Sequence, residues 1–268
     1  MAVSLKLGVG DLPIGGVTHV MGVINVSAES RNTYTVARSV DEVMLMAERY
    51  RDWGASLIDL GGQSTHLDNP TITSADEISR VVPAIEALVA DGHLVAIDTW
   101  KPDVAEAGVA AGAVIVNDTG GLADPSMREV VSRAGVAAIA VHVEGANPHD
   151  VAGVEIRDDK AERTAEGFRE LLVSLAADGI DNVIIDPGIA LMYRTDYEAY
   201  SRLQLRVISD SEHLHALGKP VLIPIPRKRD GHRTAVYIGM AIEHSADIIR
   251  VHDVAMACDL VRLFGRSP

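Results

Sequence analysis

Val20-Met21-Gly22-Val23-Ile24 is an unbroken apolar run of strand length, and Asn25 closes it. A run of this kind, without polar alternation, reads as a strand covered on both faces, which belongs in a parallel sheet. Seven further runs share the form. They are Leu57-Ile58 closed by Asp59, Leu94-Val95-Ala96-Ile97 closed by Asp98, and Val114-Ile115-Val116 closed by Asn117-Asp118. Then come Val136 to Val141 closed by His142, Val183-Ile184-Ile185 closed by Asp186, Val221-Leu222-Ile223 leading to Arg227-Lys228, and Ile248-Ile249 closed by Arg250. A mostly helical stretch separates each run from the next. Eight such units predict an α/β protein built as a single (β/α)8 TIM barrel. The carboxyl ends of the strands form the active-site rim of that fold, so the closing residues are candidates for one ring.

The length of 268 residues matches the roughly 250 of one barrel. With 47% apolar residues the chain can fill one large core, so a single domain over 1–268 is expected. A net charge of −14 argues against a nucleic-acid groove, which needs a basic face. Cys258 is the single cysteine, so no internal disulfide can form and a reducing compartment is the default. Residues 1–10 lack the basic start and apolar core of a signal peptide. No apolar stretch approaches the roughly 20 residues of a membrane span. The expectation is a cytoplasmic protein with no membrane partner.

Helix signals fall between the runs. Ser74-x-x-Glu77 reads as a capping box, ahead of a stripe of Ile78, Val81, Val82, Ile85, Leu88 and Val89 at helical spacing. Pro83 inside that stripe predicts a kink, and Asp91-Gly92 an end. Pro102 and Pro125 suit first turns, and Lys160 to Ala177 is the longest helix. Three polar stretches, 25–37, 61–73 and 145–156, read as rim loops.

A carboxylate at a strand end inside a barrel mouth is costly unless it is paired or hydrogen-bonded. Asp98 and Asp186 offer acceptors that suit a flat heterocycle presenting amino or amide N–H groups. Asn117 adds a donor and an acceptor, and Lys228 a donor. Such a set reads an edge of mixed donors and acceptors, as in a pterin or a purine. Arg227-Lys228-Arg229 and Arg250-Val251-His252 place basic groups after the seventh and eighth runs, the usual anion corner of this barrel class. A guanidinium there also offers a flat face for stacking. His213-x-His215 is no metal pair, since residues two apart on a helix do not face each other.

At this point the residues resemble the dihydropteroate synthase family, within the wider group of pterin-binding barrels. The matching pieces, in order, are Met21 to Val26, Ile58 to Thr65, Ile97-Asp98-Thr99, Asn117-Asp118, Ile185 to Ile189, Arg227-Lys228, and Arg250 to Val254. The resemblance implies that Asp98, Asn117, Asp186 and Lys228 hydrogen-bond a pterin on which Arg250 stacks, with Asp98, Lys228 and Arg250 catalytic. It implies that Asn25, Thr65, His66, Arg250 and His252 face a diphosphate, and that Asn25 ligates Mg²⁺. The implied reaction, in folate biosynthesis, joins 6-hydroxymethyl-7,8-dihydropterin diphosphate to p-aminobenzoate. A homodimer is implied as well.

This chain also departs from the family pattern. The first rim loop, usually Asn-Val-Thr-Pro-Asp-Ser-Phe, is Asn25-Val26-Ser27-Ala28-Glu29-Ser30-Arg31. His66 stands where the family has a diphosphate-contacting Arg. After Ile189 the family's Gly-Phe-Gly-Lys, which helps form the p-aminobenzoate pocket, becomes Ala190-Leu191-Met192-Tyr193. Ser-Arg-Lys-Ser becomes Pro226-Arg227-Lys228-Arg229, and Glu144 stands where the family often has Arg. The leading expectation is therefore a pterin transferase using p-aminobenzoate or a related acceptor. A reduced-folate-dependent one-carbon transferase explains the lost loop but leaves Arg250 and His252 without a task. A non-catalytic paralogue that binds pterin or assists a partner enzyme is the third reading.

Overall fold

The computed structural model describes residues 3–27, 29–30, 33–66, 68–151, 153–191, 193–226 and 230–268. An antiparallel hairpin comes first, β1 (Val3–Lys6) and β2 (Asp11–Ile14), with Leu5 opposite Leu12. Eight strands follow: β3 (His19–Asn25), β4 (Leu57–Gly61), β5 (Val95–Asp98), β6 (Ile115–Asp118), β7 (Ala137–Val141), β8 (Val183–Asp186), β9 (Leu222–Pro224) and β10 (Ile248–Val251). Every pair along the order β8-β7-β6-β5-β4-β3-β10-β9 is parallel, and an Ile185–Val221 bridge brings β8 against β9 to close the ring. The (β/α)8 barrel expected from the eight runs is the fold.

Successive side chains on a strand point to opposite faces, and that period sorts the barrel. Met21, Leu57, Ala96, Ile115, Ile184, Leu222 and Ile248 share one buried cluster with Leu5, Leu7, Leu12 and Ile14 of the hairpin. The hairpin thus plugs the amino-terminal end of the barrel. Val20, Ile24, Ile58, Leu60, Val95, Ile97, Val116, Ile185 and Ile249 point the other way and pack under the helices. Stepping two residues on from the inward set reaches Asp59, Asp98, Asn117, Asp186 and Arg250, and four on from Met21 reaches Asn25. The polar closers therefore share the barrel interior because the apolar side chains two residues earlier do. Asp118 falls on the opposite face, where its carboxylate accepts from the backbone N–H groups of Gly120 and Leu122, both at 2.7 Å.

The surrounding helices are α1 (Val40–Trp53), α2 (Ser74–Ala90), α3 (Pro102–Ala110), α4 (Pro125–Ala134), α5 (Lys160–Ala177), α6 (Tyr197–Ser209), the short α7 (Glu212–His215), α8 (Gly231–Glu243) and α9 (Val254–Leu263). The cap of α2 lies one residue earlier than the sequence suggests. Thr73 Oγ1 accepts from Asp76 N–H at 3.1 Å and donates to Asp76 Oδ2 at 2.7 Å, while Glu77 turns inward to meet Lys101. Burying a carboxylate beside a lysine outweighs its use as a cap. Helix α2 runs through Pro83 as one element. Among the described residues no helix is long and apolar enough to cross a membrane.

Candidate active site

Arg250, at the end of β10, reaches across the barrel mouth. Its Nε donates to Asp59 Oδ2 and its Nη2 to Asp98 Oδ2, both at 2.6 Å. Asp59 Oδ1 in turn accepts from Asn117 Nδ2 at 3.0 Å. The Asn117 side-chain oxygen is buried and has no partner among the described residues. Asp186 Oδ1 accepts from Gly188 N–H at 2.7 Å. Gly188 holds φ at +70°, and a Cβ there would lie 1.9 Å from the carbonyl oxygen of His142, so only glycine fits this turn.

Burial makes two of these carboxylates hard to ionise. It raises Asp98 to about 7, with the Asp59 carboxylate pushing the same way and Arg250 opposing. Burial likewise raises Asp186 to about 7, against the Gly188 hydrogen bond and the Arg250 charge.

Above this floor lies a cavity of about 430 Å³. Asp98, Arg250, Asn25 and His252 line its barrel side, Ser64, Thr65 and His66 its second-loop side, and Leu191, Tyr193, Tyr200 and Ile225 its outer wall. Asp59, Asn117 and Asp186 are 1%, 1% and 3% exposed and do not line it. They are buried behind the cavity lining, and Arg250 bonds Asp59 while itself lining the cavity. The structure thus brings Asp98, Asn117, Asp186 and Arg250 into one barrel mouth but opens only Asp98 and Arg250 to the cavity. Lys228 lies outside the described residues, as do its neighbours Arg227 and Arg229.

The opposite corner is assembled by the first rim loop. Asn25 Nδ2 donates to Thr35 Oγ1 at 3.1 Å, and Thr35 Oγ1 lies 3.1 Å from His252 Nδ1. Thr35 is fully buried on a short 3-10 turn (Thr33–Thr35), which a bridge between Asn25 and Val36 ties to β3. The Asn25 amide nitrogen bonds Thr35 with one of its two N–H groups, and its oxygen is an acceptor that can serve a ligand. A hard oxygen donor suits a Mg²⁺ ion that keeps its waters and shares a phosphate, since such ions use few protein groups. Among the described residues no cluster of three or more His, Cys, Asp or Glu is placed to hold a metal by itself.

Long-range bonds strap the loops to the barrel. Both terminal Arg80 nitrogens, Nη1 and Nη2, donate to Glu29 at 3.0 Å, and that pairing holds the Glu29 carboxyl down at about 2. Asn69 Nδ2 links the carbonyl oxygen of Glu29, at 2.9 Å, to Ser64 Oγ, at 2.7 Å. Lys101 Nζ donates to Gln63, the carbonyl oxygen of Ile72 and Glu77, at 2.6, 2.7 and 2.8 Å. Gly62 makes room for that cluster, since a Cβ there would lie 2.7 Å from Glu77 Cγ. On the outer wall, Ile189 O accepts from Tyr200 OH at 3.1 Å and Gln204 Nε2 at 2.6 Å, and Leu191 O accepts from Tyr200 OH at 3.1 Å. Tyr193 meets Tyr200 edge-on at 5.6 Å, and burial pushes its hydroxyl up to about 12.

Thr35, Arg80 and Lys101 do not stand out in the sequence, because they have partners 217, 51 and 38 residues away, and Tyr200 does not because its partners are backbone carbonyls. Asp59 does carry a signal, as the closing residue of its run.

The fold and this mouth define an α/β-barrel small-molecule enzyme with a buried donor–acceptor floor beside a polar corner. The family model described as pterin binding enzyme matches residues 21–252, and the chain belongs to that family. It is 31% identical to the dihydropteroate synthase of Bacillus subtilis over 262 residues, which cover 92% of this chain and 87% of that protein. It is 32% identical to the probable bifunctional folylpolyglutamate synthase/dihydropteroate synthase of Haloferax volcanii, covering 97% of this chain and 32% of the relative. The chain thus spans about a third of that bifunctional protein's length. Dihydropteroate synthase from Thermus thermophilus, solved in complex with 4-aminobenzoate, superposes with a TM-score of 0.81 at 27% identity, over 98% of this chain and 99% of that one.

Proposed function

We propose that this chain is a transferase of the dihydropteroate synthase type, joining 6-hydroxymethyl-7,8-dihydropterin diphosphate to p-aminobenzoate or a related acceptor with release of diphosphate. The observation that carries this reading is the placement of Arg250 between a carboxylate–amide floor and the Asn25–Thr35–His252 corner. A ring seated on the floor presents its N–H edge to Asp186, Asp98 and the unpartnered Asn117 oxygen, while Lys228 donates to a ring acceptor. Arg250 keeps its Nε on Asp59, releases Asp98 and offers its planar face to the ring. The donated N–H groups then stand in for the guanidinium and favour the ionised carboxylates.

In this reading the diphosphate end of the substrate lies toward Asn25, Thr65, His66, Arg250 and His252. The bond from the exocyclic carbon to the diphosphate oxygen breaks, and the electron pair leaves with that oxygen. The carbon becomes cationic, in conjugation with the ring, and buried Asp98 and Asp186 stabilise that charge. The acceptor amine attacks the carbon and afterwards loses a proton. Asn25 would hold Mg²⁺, which when bound neutralises charge on the leaving diphosphate.

The acceptor is the point where this chain diverges, because Leu191, Tyr193 and Tyr200 form a wall unlike the family's Gly-Phe-Gly-Lys. We take residues 1–268 as one domain acting in the cytoplasm. Leu263 and Phe264, 76% and 41% exposed at the end of α9, supply apolar surface for a homodimer. The test is diphosphate release by the purified chain with the pterin diphosphate, magnesium and a panel of aromatic amines. Release that needs an amine supports the proposal. No release from any pterin substrate would instead support a non-catalytic paralogue.

A further inference from the structure

Asp98, Asn117, Asp186 and Arg250 each have a role in the proposed transfer, and Asp59, bonded to two of them, has none. Asp59 is 1% exposed and both its oxygens already accept from site residues, so neither is offered to a ligand. Its two oxygens are divided between two site residues: Oδ1 accepts from Asn117 Nδ2 at 3.0 Å, and Oδ2 accepts from Arg250 Nε at 2.6 Å. An ionised carboxylate can only accept, so an amide beside it must turn its NH2 group toward it. Asn117 is thereby left with its side-chain oxygen turned away from Asp59, buried and without a partner among the described residues. A buried amide oxygen with no hydrogen bond is rare in proteins and invites a ligand donor.

We propose that Asp59 is a positioning residue that fixes the Asn117 amide with its oxygen unspent, so that this point of the seat takes a ring N–H donor and refuses an acceptor. The identity of the ring rests on the pterin reading; the orientation of the amide does not. Were Asn117 free to turn over, its NH2 group would face the seat and repel the N–H edge that Asp98 and Asp186 attract. One carboxylate on β4 thus keeps the three acceptors on β5, β6 and β8 consistent with one another.

The experiment follows 6-hydroxymethylpterin binding to the full chain by calorimetry. Asp59→Asn keeps the shape and an oxygen for Arg250 but offers Asn117 an NH2 group, so Asn117 must turn over. Affinity should fall by about tenfold or more. Adding Asn117→Asp to that variant restores one amide donating to one carboxylate, with an acceptor oxygen left toward the seat. Binding should then return to within a few-fold of the parent. A double variant as weak as Asp59→Asn would show that Asp59 acts only by holding Arg250, and would overturn the proposal. If Asp59→Asn does not fold, the double variant decides alone, with parental binding supporting the proposal and no binding overturning it. The side-chain amide resonance of Asn117 gives a readout without ligand. Asp59→Asn should move it out of a carboxylate-bonded position, and an unmoved resonance overturns the proposal. Failure of the parent to bind pterin would reject the pterin reading, while that resonance still decides the role of Asp59.

Discussion

Arg250 and Asp98 meet inside the barrel mouth at 2.6 Å, a guanidinium Nη2 donating to a carboxylate oxygen. The same guanidinium holds Asp59, so one cation serves two buried carboxyl groups. Removing one member of such a cluster leaves an uncompensated buried charge. Arg250→Ala should therefore destabilise the chain by about 3 kcal/mol, read from urea unfolding, besides abolishing turnover. Arg250→Lys should recover part of the stability but little turnover, because an ammonium lacks the planar fork and face. Full stability in Arg250→Ala would mean that the guanidinium is not needed to hold Asp59 and Asp98 in the barrel mouth.

The raised carboxyls give a pH dependence with a definite sign. Asp98 and Asp186 titrate near 7 in the folded chain and near 3.8 when unfolded. Between those values the folded state holds more protons, so stability falls as pH rises from 4 to 7 and levels off above. Asp186→Asn should flatten that slope in unfolding curves recorded across the range. Pterin binding should run the opposite way, since ring N–H donors need ionised acceptors. Affinity should weaken as pH drops below about 7.

Asp186→Ala removes an acceptor at the floor and the partner of Gly188 N–H. Pterin affinity should drop by about 10- to 100-fold, corresponding to roughly 1–3 kcal/mol for an unmatched buried hydrogen-bond donor. Unchanged affinity in calorimetry would remove Asp186 from the seat.

Tyr200→Phe separates the outer wall from the floor. It deletes the hydroxyl that donates to the carbonyl oxygens of Ile189 and Leu191 but keeps the ring packed on Tyr193. The Michaelis constant for the acceptor should rise while pterin affinity stays at the parental value. An equal change in both would show that this wall does not belong to the acceptor.

Arg80→Ala should release the first rim loop from α2. The ion pair is partly exposed, so unfolding stability should change by less than about 1 kcal/mol. Steady-state kinetics should show a raised Michaelis constant for the diphosphate substrate, because Glu29 and Asn69 link this loop to Ser64 at the cavity. Unaltered kinetics would make the clamp a surface ornament.

How much of this is legible in the sequence follows from the range of each interaction. The eight strands show because a strand buried on both faces must be apolar throughout, and the floor shows because Asp98, Asn117, Asp186 and Arg250 each end such a run. The hairpin escapes such a reading. Its strands are four residues each, and Leu5, Leu7, Leu12 and Ile14 alternate too briefly to stand out. Glu77 matches the capping pattern and so points to Ser74 as the α2 cap, whereas Lys101, 24 residues on, recruits Glu77 into the core. Pairings such as Glu29 with Arg80 depend on two loops meeting after the barrel closes, and no local pattern encodes them.

The most direct measurement is calorimetric titration of the parent chain with 6-hydroxymethyl-7,8-dihydropterin diphosphate and magnesium, set beside tetrahydrofolate. Saturable binding of the diphosphate, strengthened by magnesium and lost in Asp186→Ala, is the expected result. Tight binding of tetrahydrofolate with none of the diphosphate would contradict it.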